Sequence, residues 1–258
     1  MASTRALNDS LEQLLAGCIS GTQSRLELWV RFLQSVRPRQ MAEIGVYRGD
    51  FAAYVLQRCE SVARYYMIDP WRHLDDWNKP ASHDDAVLDG FFRETQAKTD
   101  FAGSKRIILR GKTTEVIDRI PDGELDFAYI DADHTLKGIA IDLIRIYPKV
   151  RAGGFLGGDD FTRSVWEHPS RFEPTLVFPF AVYFAEAVGA TIYALPFSQF
   201  VLQKTNGAQF AFVDLTGEYE RTGLRHQFAP EKVLKLIAGE RFPRLKKIGA
   251  KARKLMGR

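Results

Sequence analysis

Glu43, Asp69, Asp131, Asp159 and Asp160, with His134, stand where short apolar runs give way to turns, and their spacing sorts them into two groups. The first is Glu43-x-Gly45-x-x-x-Gly49, with Tyr47 between the glycines, closing the run Met41–Val46. Asp69 closes the next run, Tyr65–Ile68, twenty residues beyond Gly49. A glycine turn between a strand and a helix start lets backbone approach a ligand closely. The pyrophosphate pattern GxGxxG is missing, which argues against a nicotinamide enzyme. A carboxylate ahead of the glycines suits a cationic ligand instead, and an acid at Asp69 can accept hydrogen bonds from a ribose diol. The plain alternative is a tight turn with no ligand.

The second group is Asp131-Ala132-Asp133-His134 after the run Leu125–Ile130, and Gly157-Gly158-Asp159-Asp160-Phe161 after Gly154–Leu156. Neighbouring strands lie ~5 Å apart. If these two are neighbours, Asp131, Asp159 and Asp160 converge, and three such carboxylates repel unless a cation neutralises them. Hard oxygen ligands point to Mg²⁺ or a similar divalent ion. The competing reading is helix capping, for which Asp133 is placed ahead of a helix starting near Thr135. His134 is a candidate base or substrate contact, or a structural histidine at that helix start. The other histidines show no HExxH-type spacing, so zinc is not expected.

These residues need a scaffold that gathers strand ends. From residue 40 onward, short apolar strands alternate with helical stretches: Asp50–Arg58, Asp84–Lys98, Thr113–Arg119 and Thr135–Val150 separate the strands Met41–Val46, Tyr65–Ile68, Arg106–Leu109, Leu125–Ile130 and Gly154–Leu156. Such alternation means right-handed crossovers and a doubly wound, mostly parallel α/β sheet. Closely spaced strands at Thr191–Leu195, Phe200–Gln203 and Gln209–Asp214 predict an antiparallel end to it. Residues 1–38 read as helices, with Leu26, Trp29, Val30 and Leu33 on one face. That gives three parts: an N-terminal helical segment (1–38), the α/β domain (39–230) and a basic helical tail (231–258).

The tail carries the excess charge. Ten Lys and Arg face a single acid, Glu240, from Lys232 to Arg258, leaving 26 basic against 31 acidic residues in the body. An acidic body is not a nucleic-acid binder by charge, so no nucleic acid is expected. Leu245, Ile248, Ala252, Leu255 and Met256 near one face of the tail suit contact with an anionic membrane or a partner. Two cysteines without CxxC spacing, no apolar run near ~20 residues and no visible signal segment predict a cytoplasmic protein. The N-terminal helices are candidates for a homo-oligomer contact.

The motifs resemble those of class I S-adenosylmethionine-dependent methyltransferases, over about residues 41–204. Glu43-x-Gly45-x-x-x-Gly49 is similar to the family's first motif, with Tyr47 where a glycine is common, and Asp69 matches its ribose-binding acid. The resemblance implies that Glu43, Gly45, Tyr47, Gly49, Asp69, Thr113 (near the adenine, or a helix cap) and Asp131 surround the cofactor. Ile130-Asp131-Ala132-Asp133-His134 followed by Gly157-Gly158-Asp159-Asp160-Phe161 resembles the metal-dependent O-methyltransferases of the macrocin type. It implies Mg²⁺ held by Asp131, Asp159 and Asp160, a small-molecule or sugar hydroxyl as acceptor, and Asp131 or His134 as base. No Asn-Pro-Pro-Tyr-like motif follows the fourth strand, which argues against base and amide N-methylation. The alternative is a non-catalytic S-adenosylmethionine-binding protein of the same fold. The loop with Trp71, His73, Trp77, Asn78 and His83 is read as a cover over the cofactor or as a surface insertion.

Overall fold

The computed structural model describes residues 2–75, 81–163, 175–205 and 209–219, with residues 2–9 described as helical backbone. The chain divides into two units, Met1–Tyr219 and Glu220–Arg258. The basic tail (231–258) lies outside the described residues, as do Trp77 and Asn78.

Eight strands form one sheet: β1 (Gln40–Ile44), β2 (Arg64–Asp69), β3 (Arg106–Arg110), β4 (Leu125–Ile130), β5 (Val150–Gly158), β6 (Thr191–Leu195), β7 (Gln199–Gln203) and β8 (Ala211–Asp214). Their order is β3-β2-β1-β4-β5-β7-β6-β8. The first five are parallel, because each crossover carries a helix: α3 (Asp50–Arg58), α4 (Asp85–Thr99), α5 (Thr113–Val116) and α6 (Leu136–Ile146). Near-continuous apolar runs in β1, β2 and β4 bury both faces, as central parallel strands between helical layers must.

Register decides what meets at the strand ends. Ile44 pairs with Ile68 on one side and Ile130 on the other, and Ile130 pairs with Gly158. The next residues are therefore Gly45, Asp69, Asp131 and Asp159, side by side along the carboxyl edge. The chain reverses its direction of travel across the sheet between β1 and β4, which opens a crevice there.

The antiparallel end is confined to β7, which runs against both β5 and β6. β8 differs from expectation: it lies beyond β6 and parallel to it. The helix expected over Thr135–Val150 stops at Ile146, where Pro148 enters a 3₁₀ turn, and β5 begins at Val150 instead of Gly154.

α1 (Ala2–Ile19) and α2 (Arg25–Val36) are part of the same unit as the sheet rather than a segment apart. Leu11, Leu15, Trp29, Phe32 and Leu33 share one buried cluster with Phe127, Tyr129, Tyr193 and Val201. The apolar faces of α2 and of the described side chains of α1, residues 10–19, are thus used within the chain. Trp29 packs edge-on against Tyr129 at 5.3 Å and tilted against Phe127 at 5.3 Å. It presses so closely on β5 that a Cβ at Gly157 would collide with its ring. Burying an aromatic of ~150–250 Å² stabilises by roughly 4–6 kcal/mol. Ser24 starts α2 by accepting a hydrogen bond from the Glu27 amide, which fixes where Arg25 points.

α7 (Val177–Val188) covers the opposite side of the sheet, where Phe184 joins Leu143, Leu156, Phe161 and Phe200 in a second cluster. Phe178 and Phe180 pack against this cluster, whereas Tyr183 is exposed.

Candidate active site

A cavity of about 780 Å³ opens at the β1–β4 crevice, lined by Glu43, Gly45, Tyr47, Asp69, Thr113 and Asp131, with Asp160 and His134 at one end. Ligand pockets commonly hold ~300–1,000 Å³. Gly49 and Asp159, expected at the site, do not line it.

The turn after β1 is shaped by backbone. Gly45 has φ +86°, and a Cβ there would collide with the Asp131 carbonyl. The glycine thus permits close approach of β1 to β4, rather than sparing room for a ligand. Tyr47 also adopts a left-handed conformation, φ +52°, where a glycine would be unstrained. Two bonds hold its carbonyl, which accepts from the Trp71 indole at 2.7 Å and the Thr95 hydroxyl at 3.1 Å. Gly49, φ +75°, is the N-cap of α3, and its missing side chain leaves room for Thr95.

Asp69 organises this turn. One carboxylate oxygen accepts from the amides of Val46 (3.1 Å) and Tyr47 (2.9 Å), the other from the Trp71 amide (2.8 Å). A carboxylate has about four acceptor sites, so roughly one is left for a ligand hydroxyl. Burial pushes its carboxyl up to about 6, against the pull of those three amides. Trp71 is buried and, with Leu74 and Ala81 of the same loop, lines the cavity, while His73 and His83 are tied together, the His73 ring nitrogen lying 3.1 Å from the His83 carbonyl.

Glu43 lies wholly buried beneath the turn and accepts from the Tyr65 hydroxyl at 2.7 Å. Burial holds its carboxyl well above the usual carboxylate range. Thr113 is not the helix cap considered for it, since Lys112 occupies that position. Its hydroxyl donates instead to Asp142 of α6 at 2.6 Å, and burial pushes the Asp142 carboxyl up to about 7. Asp133 does not cap α6 either: Thr135 does, while Asp133 accepts from the Thr135 amide and hydroxyl.

The acidic end holds a residue that sequence reasoning missed. Arg25, the first residue of α2, donates from Nη1 to Asp131 at 2.8 Å and pairs with Asp159 through the same nitrogen. Asp159 also accepts from the Asp160 amide (2.8 Å) and from Gln199 of β7 (2.5 Å). The Gln199 carbonyl oxygen accepts from the Trp29 indole at 2.7 Å and the Tyr129 hydroxyl at 2.9 Å. Asp160 faces His134, with Nδ1 3.4 Å from its carboxylate. Burial, the largest effect, raises the Asp131 carboxyl, and Arg25 works against it. Neither Arg25 nor Gln199 belongs to a motif; their separation in sequence, 174 positions, hides the pairing.

For a divalent ion the donor chemistry is right: Asp131, Asp159 and Asp160 offer hard oxygens. The position between Asp131 and Asp159 is filled by the Arg25 guanidinium, however. Among the described residues no three His, Cys, Asp or Glu side chains are grouped to hold a metal. As arranged, these residues do not fit the ion.

Residues 42–161 match the family model described as a methyltransferase domain. That segment of the chain carries a methyltransferase domain. No curated protein matches the sequence. Among solved structures, the methyltransferase fold is shared with the O-methyltransferase from Bacillus cereus in complex with SAH, at 15% identity, 79% of this chain, 91% of that one and a TM-score of 0.52. It is also shared with the O-methyltransferase TomG from Streptomyces achromogenes, involved in tomaymycin synthesis and solved with SAM, at 13% identity, 73% of this chain, 82% of that one and a TM-score of 0.51. At such identities the likeness is one of fold. No helix among the described residues is long and apolar enough to cross a membrane.

Proposed function

We propose that this methyltransferase moves a methyl group from S-adenosylmethionine to the hydroxyl oxygen of a small molecule, a sugar among the candidates. The observation that carries the reading is the two-ended cavity. A cofactor half, built by Glu43, Gly45, Tyr47 and Asp69, continues into an acidic end formed by Asp131, Asp160 and His134. Bound S-adenosylmethionine supplies an electrophilic methyl on a cationic sulfonium. Asp69 keeps about one acceptor site for a ribose hydroxyl while fixing the turn through its other bonds. Asp131, at the junction of the two halves, favours positive charge nearby and, with a raised carboxyl, is suited to take the acceptor's proton. His134, beside Asp160, is the second candidate for that role. Orientation of the reactants within the cavity supplies much of the rate.

A non-catalytic cofactor binder is the second reading. It leaves the acidic end without a purpose, since cofactor binding alone needs no second polar group there. Calorimetry with S-adenosylmethionine and NAD, followed by a screen of sugars and phenols for S-adenosylhomocysteine release, tests both. Binding of NAD alone overturns the methyltransferase reading; cofactor binding without release on any hydroxyl favours the binder. Contact of the tail with anionic membrane remains part of the proposal. Equal co-sedimentation with anionic liposomes by the full chain and a form ending at Pro230 removes it.

A further inference from the structure

The geometry points to Arg25 as the resident cation of the acidic site: it takes the place between Asp131 and Asp159 that a divalent ion would need, and so keeps the site free of metal. This rests on the methyltransferase reading of the cavity and adds what neutralises its acidic end.

Each of the three carboxylates has a partner within the chain. Asp131 and Asp159 share Nη1 of Arg25. Asp159 further accepts from the Gln199 amide group and the Asp160 backbone amide, and Asp160 faces His134. The repulsion between Asp131 and Asp159, which calls for a divalent ion when the acids are considered alone, is thus relieved by the guanidinium between them. A doubly charged ion placed among these acids would lie against the guanidinium, a like charge at contact distance, and would have to expel it.

Arg25 is held where it is. Trp29 lies one helical turn further along α2, on the same face. Its indole donates to Gln199, Gln199 donates to Asp159, and Asp159 pairs with Arg25. The ring of contacts therefore starts and ends on α2. Tyr129 adds a second tie, donating to Gln199 and accepting from Arg25 at 3.4 Å. Helix α2 itself is pinned by Trp29 against the bare backbone of Gly157. An exposed surface arginine lacks such constraints, and Arg25 also lines the cavity beside Asp131 and Asp160. Its role is positioning: it fixes the direction of the Asp131 carboxylate and occupies the cation position.

The test is a Mn²⁺ titration of the full chain followed by electron paramagnetic resonance, with and without S-adenosylhomocysteine. The wild type should leave the signal of free Mn²⁺ unchanged. Arg25→Met should bind one Mn²⁺ at least tenfold more tightly than wild type, and adding Asp159→Asn should abolish that gain. Arg25→Lys, which keeps the charge, should behave as wild type. Arg25→Gln provides a second neutral variant should Arg25→Met not fold. Stoichiometric Mn²⁺ binding by the wild type overturns the inference, and so does failure of both neutral variants to bind. Calorimetry with S-adenosylhomocysteine keeps the two readings apart. Loss of that affinity in the wild type strikes the methyltransferase reading, whereas the Mn²⁺ comparison without cofactor still decides the role of Arg25.

Discussion

The two ends of the cavity are built by different means. At the cofactor end the backbone sets the geometry: Gly45 and Tyr47 turn left-handed, and Asp69 grips three amides from the turn and from Trp71. Most of the residues involved lie within one βαβ unit. At the acidic end the backbone only delivers carboxylates to the edge, and side chains from α2 and β7 decide what those carboxylates do. The first end is local chemistry and the second is assembled over long range. Substitutions in one should therefore disturb cofactor binding, and in the other stability or metal response.

The largest effect is expected at the seam between the two ends. Gly45→Val drives a side chain into the Asp131 carbonyl and forces a β-branched residue to positive φ. Overpacking of ~1–3 kcal/mol and backbone strain of ~1–3 kcal/mol together remove on the order of 4 kcal/mol, and cofactor affinity with it. Urea denaturation reads the loss; a wild-type midpoint would refute the close approach of β1 to β4.

Trp29→Ala, at the acidic end, should cost ~3–5 kcal/mol of stability as a large core truncation. If the ends are independent, calorimetry on the folded variant should find S-adenosylhomocysteine affinity within about threefold of wild type, roughly 0.6 kcal/mol. A larger drop would mean that α2 supports the cofactor turn as well.

Asp142 tests the cofactor end through pH. Its folded carboxyl is raised from 3.8 to about 7, so between those values the folded chain keeps a proton that the unfolded chain has released. Stability falls with rising pH wherever the folded state binds more protons. The unliganded protein should accordingly lose stability from about pH 4 to about pH 7, and this residue's share approaches ~4 kcal/mol. Asp142→Asn, which can still accept from Thr113, should remove that share and flatten the profile of urea midpoints against pH. An unaltered slope would show that Asp142 ionises normally.

Asp69→Ala leaves three amides without their acceptor and should weaken S-adenosylmethionine binding by ~1–3 kcal/mol, about 5- to 150-fold by calorimetry. Unchanged affinity would detach the turn from the cofactor. The smallest effect is expected from metal removal. With Arg25 in the cation position, turnover on an acceptor found by the screen should stay within about twofold after EDTA treatment, a change of ~0.4 kcal/mol. A large loss restored by Mg²⁺ would bring back the divalent site and show that the guanidinium yields to it.

The parallel sheet was legible because its signals are local. Apolar runs of strand length alternate with helical spacing, and a glycine turn follows β1. Thr113 was placed beside the cavity, although its hydroxyl serves Asp142, because residues after a strand end must sit at that edge. The convergence of Asp131 with Asp159 was legible for the same reason, once β4 and β5 were taken as neighbours. The cation was not. Carboxylates considered alone repel and call for a metal, and nothing around Arg25 distinguishes it from any arginine at a helix start.

The sequence by itself determined the order of strands and helices along the chain, the glycine turn after the first strand and the set of acids at the carboxyl edge, because hydrophobic period and backbone sterics act over a few residues. The tertiary structure alone decided the company those acids keep. Arg25 reaches Asp131 across 106 positions and Gln199 reaches Asp159 across 40. Charge pairing depends on distance in space, and that distance is set only when α2 packs through Trp29 onto the finished sheet.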